Sequence, residues 1–156
     1  MQPESLERSL REHAFVAGMT DAHIEFLAGC TKNVRFAPGD YLVREGEPAD
    51  TLLLLRTGLI QLESYAPGRG SAGIETLGSG EVIGWATLFP PHRWHLDARA
   101  LEPVLAFGVD GQCLRAKIEA DHDFGYFVMR TLLFIVHRRL ERARLQQLDV
   151  YKAEVK

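Results

Sequence analysis

From Lys32 to Val109 the chain is cut into short β-type runs by Pro, Gly and Asp punctuation, and this texture constrains its fold more than any other feature. The runs are Val34 to Phe36, Tyr41 to Val43, Leu52 to Leu55, Leu59 to Tyr65, Ile74 to Leu77, Ala98 to Leu101 and Val104 to Val109. Short strands recurring with turn signals between them close into an antiparallel sandwich or jelly roll. Pro67-Gly68-Arg69-Gly70-Ser71-Ala72-Gly73 reads as the one flexible stretch, a loop tip between two strands.

The flanks read as helices. Leu6 and Leu10 are one turn apart, and Thr20 and Asp21 cap a second short helix carrying Ile24, Leu27 and Ala28. Asp110 caps another short helix to about Ala120, and a long helix follows from near Asp123 to near Leu148, weakly interrupted by Gly125. The expectation is a mainly β domain over residues 1–156: a helical cover (1–30), a jelly roll or double-stranded β-helix (31–109), and C-terminal helices (110–150). A chain of 156 residues, 46% hydrophobic and 25% charged, can bury one sizeable core.

A net charge of -3 lacks the basic excess that nucleic-acid binding needs, so no direct nucleic-acid contact is expected. The charged N-terminus is unlike a signal peptide, and no stretch approaches the ~20 apolar residues of a membrane span. A cytoplasmic protein with no membrane partner is expected. Cys30 and Cys113 are too few for a disulfide framework or an iron–sulfur cluster, and each is read as a small buried hydrophobe.

The stretch Leu77-Gly-Ser-Gly-Glu-Val-Ile-Gly-Trp-Ala-Thr-Leu-Phe89 has the glycine and apolar frame of a nucleotide-cradling loop, carried by Gly80, Glu81, Ile83, Gly84, Leu88 and Phe89. A second set of turns accompanies it: Phe36-Ala37-Pro38-Gly39-Asp40, Glu45-Gly46-Glu47-Pro48-Ala49-Asp50, and Gly58-Leu59-Ile60. Gly39, Gly46 and Gly58 stand where tight turns call for positive φ. Together these motifs resemble the cyclic-nucleotide-binding domain family over roughly Thr20 to Leu148. The resemblance implies an antiparallel jelly roll enclosing a ligand pocket, no enzymatic reaction, and a possible cyclic nucleotide or other small anionic ligand in place of any firm cofactor.

The family's pocket holds phosphate with an Arg and the ribose 2′-hydroxyl with a Glu. Here the Glu position is Trp85, whose indole offers one N–H donor and no acceptor. The Arg position falls on Trp94, with His95 after it and Arg93 one residue before, so Arg93 either turns inward as a replacement cation or stays a solvated loop residue. Trp85 either stacks on an aromatic ligand or plugs the space. Backbone N–H groups near Ile83, Gly84, Trp85 and Ala86 remain as anion donors. On the long helix, Ala143 and Arg144 replace the hydroxyl pair that contacts adenine in the family's activators, and Arg144 is either a base or phosphate contact or one more solvated basic residue. The candidate ligand-binding residues are therefore Ile83, Gly84, Trp85, Ala86, Arg93, Trp94, His95 and Arg144. No catalytic residue and no metal ligand is assigned: His92, His95 and Asp97 form too sparse a metal set, and no nucleophile-elbow motif is present.

Leu133, Val136, Leu140, Ala143, Gln147 and Val150 follow an a/d rhythm suited to a seam against a second copy of the helix, with Leu132, Ile135 and Leu145 as a second apolar face. A homodimer through this helix is expected, as the resemblance also implies. The chain ends soon after the helix, where the activators carry a helix-turn-helix domain. The expectation is a stand-alone ligand-sensing module that signals through an unidentified protein partner. Its rivals are a scaffold whose pocket is plugged and, less favoured, a metal-dependent jelly-roll enzyme.

Overall fold

The computed structural model of the chain describes residues 3–68 and 70–155. Helix α1 (Pro3–Arg11) and a 3-10 turn (Ala14–Val16) lead to α2 (Asp21–Gly29), whose first turn is capped by Thr20 accepting from the His23 N–H at 3.3 Å. The strands are β1 (Thr31–Phe36), β2 (Tyr41–Val43), β3 (Thr51–Thr57), β4 (Ile60–Ala66), β5 (Gly70–Leu77), β6 (Val82–Ile83), β7 (Asp97–Ala100) and β8 (Val104–Asp110). A 3-10 turn (Trp85–Leu88) interrupts them, and α3 (Gly111–Ala120) and α4 (His122–Val155) end the chain. All strand pairs are antiparallel. They form two sheets in the orders β1-β8-β3-β6 and β2-β7-β4-β5.

Strand β3 shows why the fold has two cores. Its leucine run does not alternate with polar residues, and Leu52 to Leu55 are all buried. Successive side chains point to opposite faces of a strand. Leu52 and Leu54 accordingly enter a core shared with Phe15, Leu27, Phe124 and Val128 of the helices, whereas Leu53 and Leu55 enter the core between the sheets with Ile60, Leu62, Ala98 and Ala106. A strand covered on both faces needs an apolar residue at every position. Each buried leucine contributes about 1.5–3 kcal/mol of transfer free energy. The turn into β4 is fixed by Gly58, at φ 91°, where an added Cβ would lie 2.3 Å from the Pro103 carbonyl.

Several expectations are corrected. The strands on either side of the Pro67–Gly73 stretch extend inward until Ala66 pairs with Gly70; Arg69 lies outside the described residues, as do Met1, Gln2 and Lys156. Strand β6 is too short to show as a sequence run. Helix α4 continues past Leu148 to Val155, and Gly125 does not interrupt it. Gly125 serves close packing: a Cβ there would stand 3.1 Å from both the carbonyl oxygen and Cγ2 of Ile118 on α3. The cysteines are not separate hydrophobes. Cys30, which ends α2, and Cys113, in the first turn of α3, are joined in a disulfide with Cα atoms 6.0 Å apart. A separation of 83 residues hid this contact from sequence reasoning.

Two polar ties fasten the helices. His13 is buried, with Nδ1 accepting from the Phe15 N–H at 3.0 Å and Nε2 2.9 Å from the Leu55 carbonyl, a network suited to a neutral ring with its proton on Nε2. Burial, with a smaller push from Arg56, lowers its pKa against the raising effect of the Leu55 carbonyl. Asp121 joins the other three helices: it accepts from the Phe124 N–H at 3.1 Å, meets His23 Nε2 at 3.0 Å and lies 3.6 Å from Lys117 Nζ. Those contacts, the Phe124 N–H foremost, hold its carboxyl below the usual carboxylate range.

Candidate ligand-binding site

The loop after β5 is strapped to the centre of the first sheet. Gly80 donates to the Leu55 carbonyl and Leu55 donates back to the Glu81 carbonyl, both at 2.9 Å, before Ile83 pairs with Leu53 in β6. Gly84 then adopts φ 106°, and an added Cβ would stand 2.7 Å from the Thr51 carbonyl oxygen and 3.0 Å from the Trp94 ring. Only glycine fits there without strain. The chain turns at Gly84 into the Trp85–Leu88 turn, and Arg115 of α3 secures it by donating to the Thr87 carbonyl at 2.5 Å.

The facing wall comes from the segment before β7. Trp94 is fastened to the Gly46–Pro48 turn, donating to the Glu47 carbonyl at 3.0 Å and accepting from Gly46 at 2.8 Å. Alternation along this extended segment sends Trp94 inward, where it is buried, and Arg93 outward, while His95 is exposed at the cavity's edge. Arg93 accordingly donates to the Gly46 carbonyl at 3.2 Å on the surface and does not line the cavity, which corrects the expectation of an inward replacement cation.

Helix α4 closes the third side with Val136, Arg139, Leu140 and Ala143. Their i, i+3, i+4, i+7 spacing puts them on one helical face. Arg144, one residue on and about 100° around the helix, is exposed and outside the cavity, correcting its place in the candidate set. Of the second apolar face, Leu132 is buried and Ile135 packs on the core, but Leu145 is exposed.

The half-open space is about 330 Å³ and also meets Leu62, Ile74, Glu75 and Leu96. Ile83, Gly84, Trp85, Ala86, Trp94 and His95 all line it, so six of the sequence candidates converge. The two indoles border the cavity and leave it open. Sequence reasoning missed Arg139, whose guanidinium lies 4.8 Å from the Trp85 ring centroid, donates to the Val82 carbonyl and comes within 3.7 Å of Glu81. The available signal was an arginine on the apolar face of the long helix. Arg142 completes a cluster, 3.0 Å from Glu75 and 3.5 Å from Glu81. Burial lowers the Arg139 pKa, and Glu81 and Glu75 oppose that shift. Asp97 is engaged elsewhere, accepting from the Glu45 N–H at 2.7 Å and lying 3.6 Å from Arg44. Among the described residues no group of three His, Cys, Asp or Glu side chains is placed to hold a metal ion.

The sequence profile of the cyclic nucleotide-binding domain matches residues 33–121, which contain both the glycine turn and the Trp94 wall. The chain belongs to the cyclic nucleotide-binding domain family. It is 25% identical over 150 residues, 96% of its length, to the CRP-like cAMP-activated global transcriptional regulator of Mycobacterium tuberculosis. It spans 65% of that relative's length. A cyclic nucleotide-binding domain from Methylobacillus flagellatus shares its fold with a TM-score of 0.79 at 19% identity, covering 94% of this chain and 83% of that one. The regulatory subunit of a cAMP-independent protein kinase A from Trypanosoma brucei does so with a TM-score of 0.72 at 18% identity, covering 99% and 52%. In this cyclic nucleotide-binding domain Trp85 and Trp94 both line the cavity. Its wall arginine comes from α4. No helix among the described residues is long and apolar enough to cross a membrane.

Proposed function

We propose that this chain is a ligand-sensing regulatory module: a nucleotide-like or other small anionic or aromatic molecule enters the cavity and biases the position of α4, which a partner protein reads. One observation carries the proposal. The cavity has the Ile83–Ala86 turn on one side and Val136, Arg139, Leu140 and Ala143 of α4 on another, so an occupant touches both at once. A ligand shifts such an equilibrium only through different contacts in its two states, and contact with a long surface helix provides them. The exposed side chains of Leu133, Phe134 and Leu148 support pairing of α4 with a second copy.

The experiment uses the chain's two tryptophans, Trp85 and Trp94, both of which line the cavity. Titration with cyclic nucleotides and small aromatics should change intrinsic fluorescence and raise the melting temperature in parallel. Nitroxide labels on Arg144 and on exposed Glu102 should report a changed distance in the same titration. Saturable binding with no movement of α4 would refute the signalling route, and a silent cavity would refute the sensing role.

A further inference from the structure

We propose that the cavity selects an uncharged, largely apolar aromatic ligand over a phosphate-bearing nucleotide. This rests on the sensing role above and narrows its ligand class. The inference comes from charge balance. Arg139 is the cation that α4 brings to the cavity wall; it and Arg142 beside it stand against Glu75 and Glu81 within 3.0–3.7 Å, so the cluster is neutral as a whole. Several of its polar atoms are also buried. Arg139 Nε, Arg142 Nε and Glu75 Oε1 are buried, and the Arg139 guanidinium is occupied by the Val82 carbonyl, Glu81 and the Trp85 ring.

Apart from His95, what remains for an occupant to touch is apolar and aromatic: Leu62, Ile74, Trp85, Trp94, Val136 and Leu140. An anion there would surrender its hydration without a free cation to replace it, and would lie beside the Glu75 carboxylate. A neutral aromatic body loses little hydration and gains aromatic contacts.

The test is calorimetric titration of the full chain with naphthamide, its anionic isostere naphthoate, and cyclic AMP. Naphthamide should bind at least about tenfold more tightly than naphthoate, the ratio that accompanies a modest cost of burying an unpaired polar group. Glu75→Gln leaves two arginines facing one carboxylate and should swing the preference toward naphthoate. Leu140→Arg, at a half-exposed position on the cavity wall, should do the same without touching the buried cluster, and decides the matter should Glu75→Gln fail to fold. Naphthoate or cyclic AMP binding as tightly as naphthamide would overturn the selection and leave the sensing role standing. An unchanged preference in Leu140→Arg would overturn the charge-balance argument. Absence of binding by all three, with unmoved tryptophan fluorescence, would overturn both.

Discussion

Breaking the Cys30–Cys113 bridge should cost the fold a large part of its stability without dissolving any one element. The two residues are 83 positions apart. On the chain-entropy account, freeing a loop of that length in the unfolded state is worth about 4.5 kcal/mol. A domain's whole stability is about 5–15 kcal/mol. Local structure does not hang on the sulfurs, because the Asp110 N–H still donates to the Cys30 carbonyl at 2.9 Å and Asp110 still caps α3 by accepting from the Cys113 N–H. The loss should therefore appear as one cooperative transition moved to lower temperature. At about 2–4 °C per kcal/mol for a chain of this size, the shift is about 9–18 °C. Scanning calorimetry with and without a thiol reductant measures it, with the double variant Cys30→Ser/Cys113→Ser as the control that reductant should leave unmoved. A shift under about 3 °C, or free thiols titrating in the unreduced denatured protein, would refute the reasoning. In a reducing compartment, thiols rarely persist as disulfides, so this pair would then sit as the weaker dithiol form.

Cyclic AMP should bind about a hundredfold to ten-thousandfold more weakly than to a pocket with both polar anchors, since each charge-assisted bond is worth about 1.5–3 kcal/mol; submicromolar binding by calorimetry would contradict this. Arg93→Ala should leave cavity binding unchanged, because the side chain serves the Gly46 carbonyl outside, and a loss of affinity in the same titration would return Arg93 to the site. His13 has a lowered folded pKa, so its contribution is present above the ordinary value of about 6.5 and is lost as pH falls toward the folded value. Melting temperature should accordingly decline from about pH 6.5 downward more steeply in the parent than in His13→Asn, and parallel slopes would reject the assignment. The protein should sediment as a dimer that Leu133→Glu splits with the cavity intact, Leu133 being exposed and off the cavity wall; a monomeric parent would refute the pairing of α4 with a second copy.

Local sequence patterns carried every strand but β6, the helix caps Thr20 and Asp110, and the cavity side of the Gly80–Phe89 turn, because each depends on residues close together in the chain. The long-range contacts were not legible. Nothing near Cys30 points to Cys113, and nothing near Arg139 points to Trp85. Alternation alone would have sent Arg93 outward once Trp94 was placed inward. The family pattern drew attention to the cation's chemistry and away from that geometry. Similarly, the a/d rhythm read Val136, Leu140 and Ala143 as a seam for a second copy, whereas they line the cavity of their own domain, because a helix face does not announce which of the two it meets.

The fastening of α4 at one end makes it a lever. Asp121 holds the start of the helix to α2 and α3 through Phe124, His23 and Lys117, whereas the far end beyond Ala143 is exposed. At about 1.5 Å of rise per residue, Leu140 stands about 27 Å and Val155 about 50 Å from His122. Once an occupant releases the Arg139 and Arg142 ties to Val82, Glu75 and Glu81, a stiff rod pivoting at its first turn enlarges a displacement at Leu140 about 1.8-fold by Val155. A movement of about 1 Å, of the size a side chain makes when it yields to an occupant, arrives as nearly 2 Å at the last turn. A partner seated near Val155 would read the cavity with mechanical gain, and one seated near Phe124 would read almost nothing.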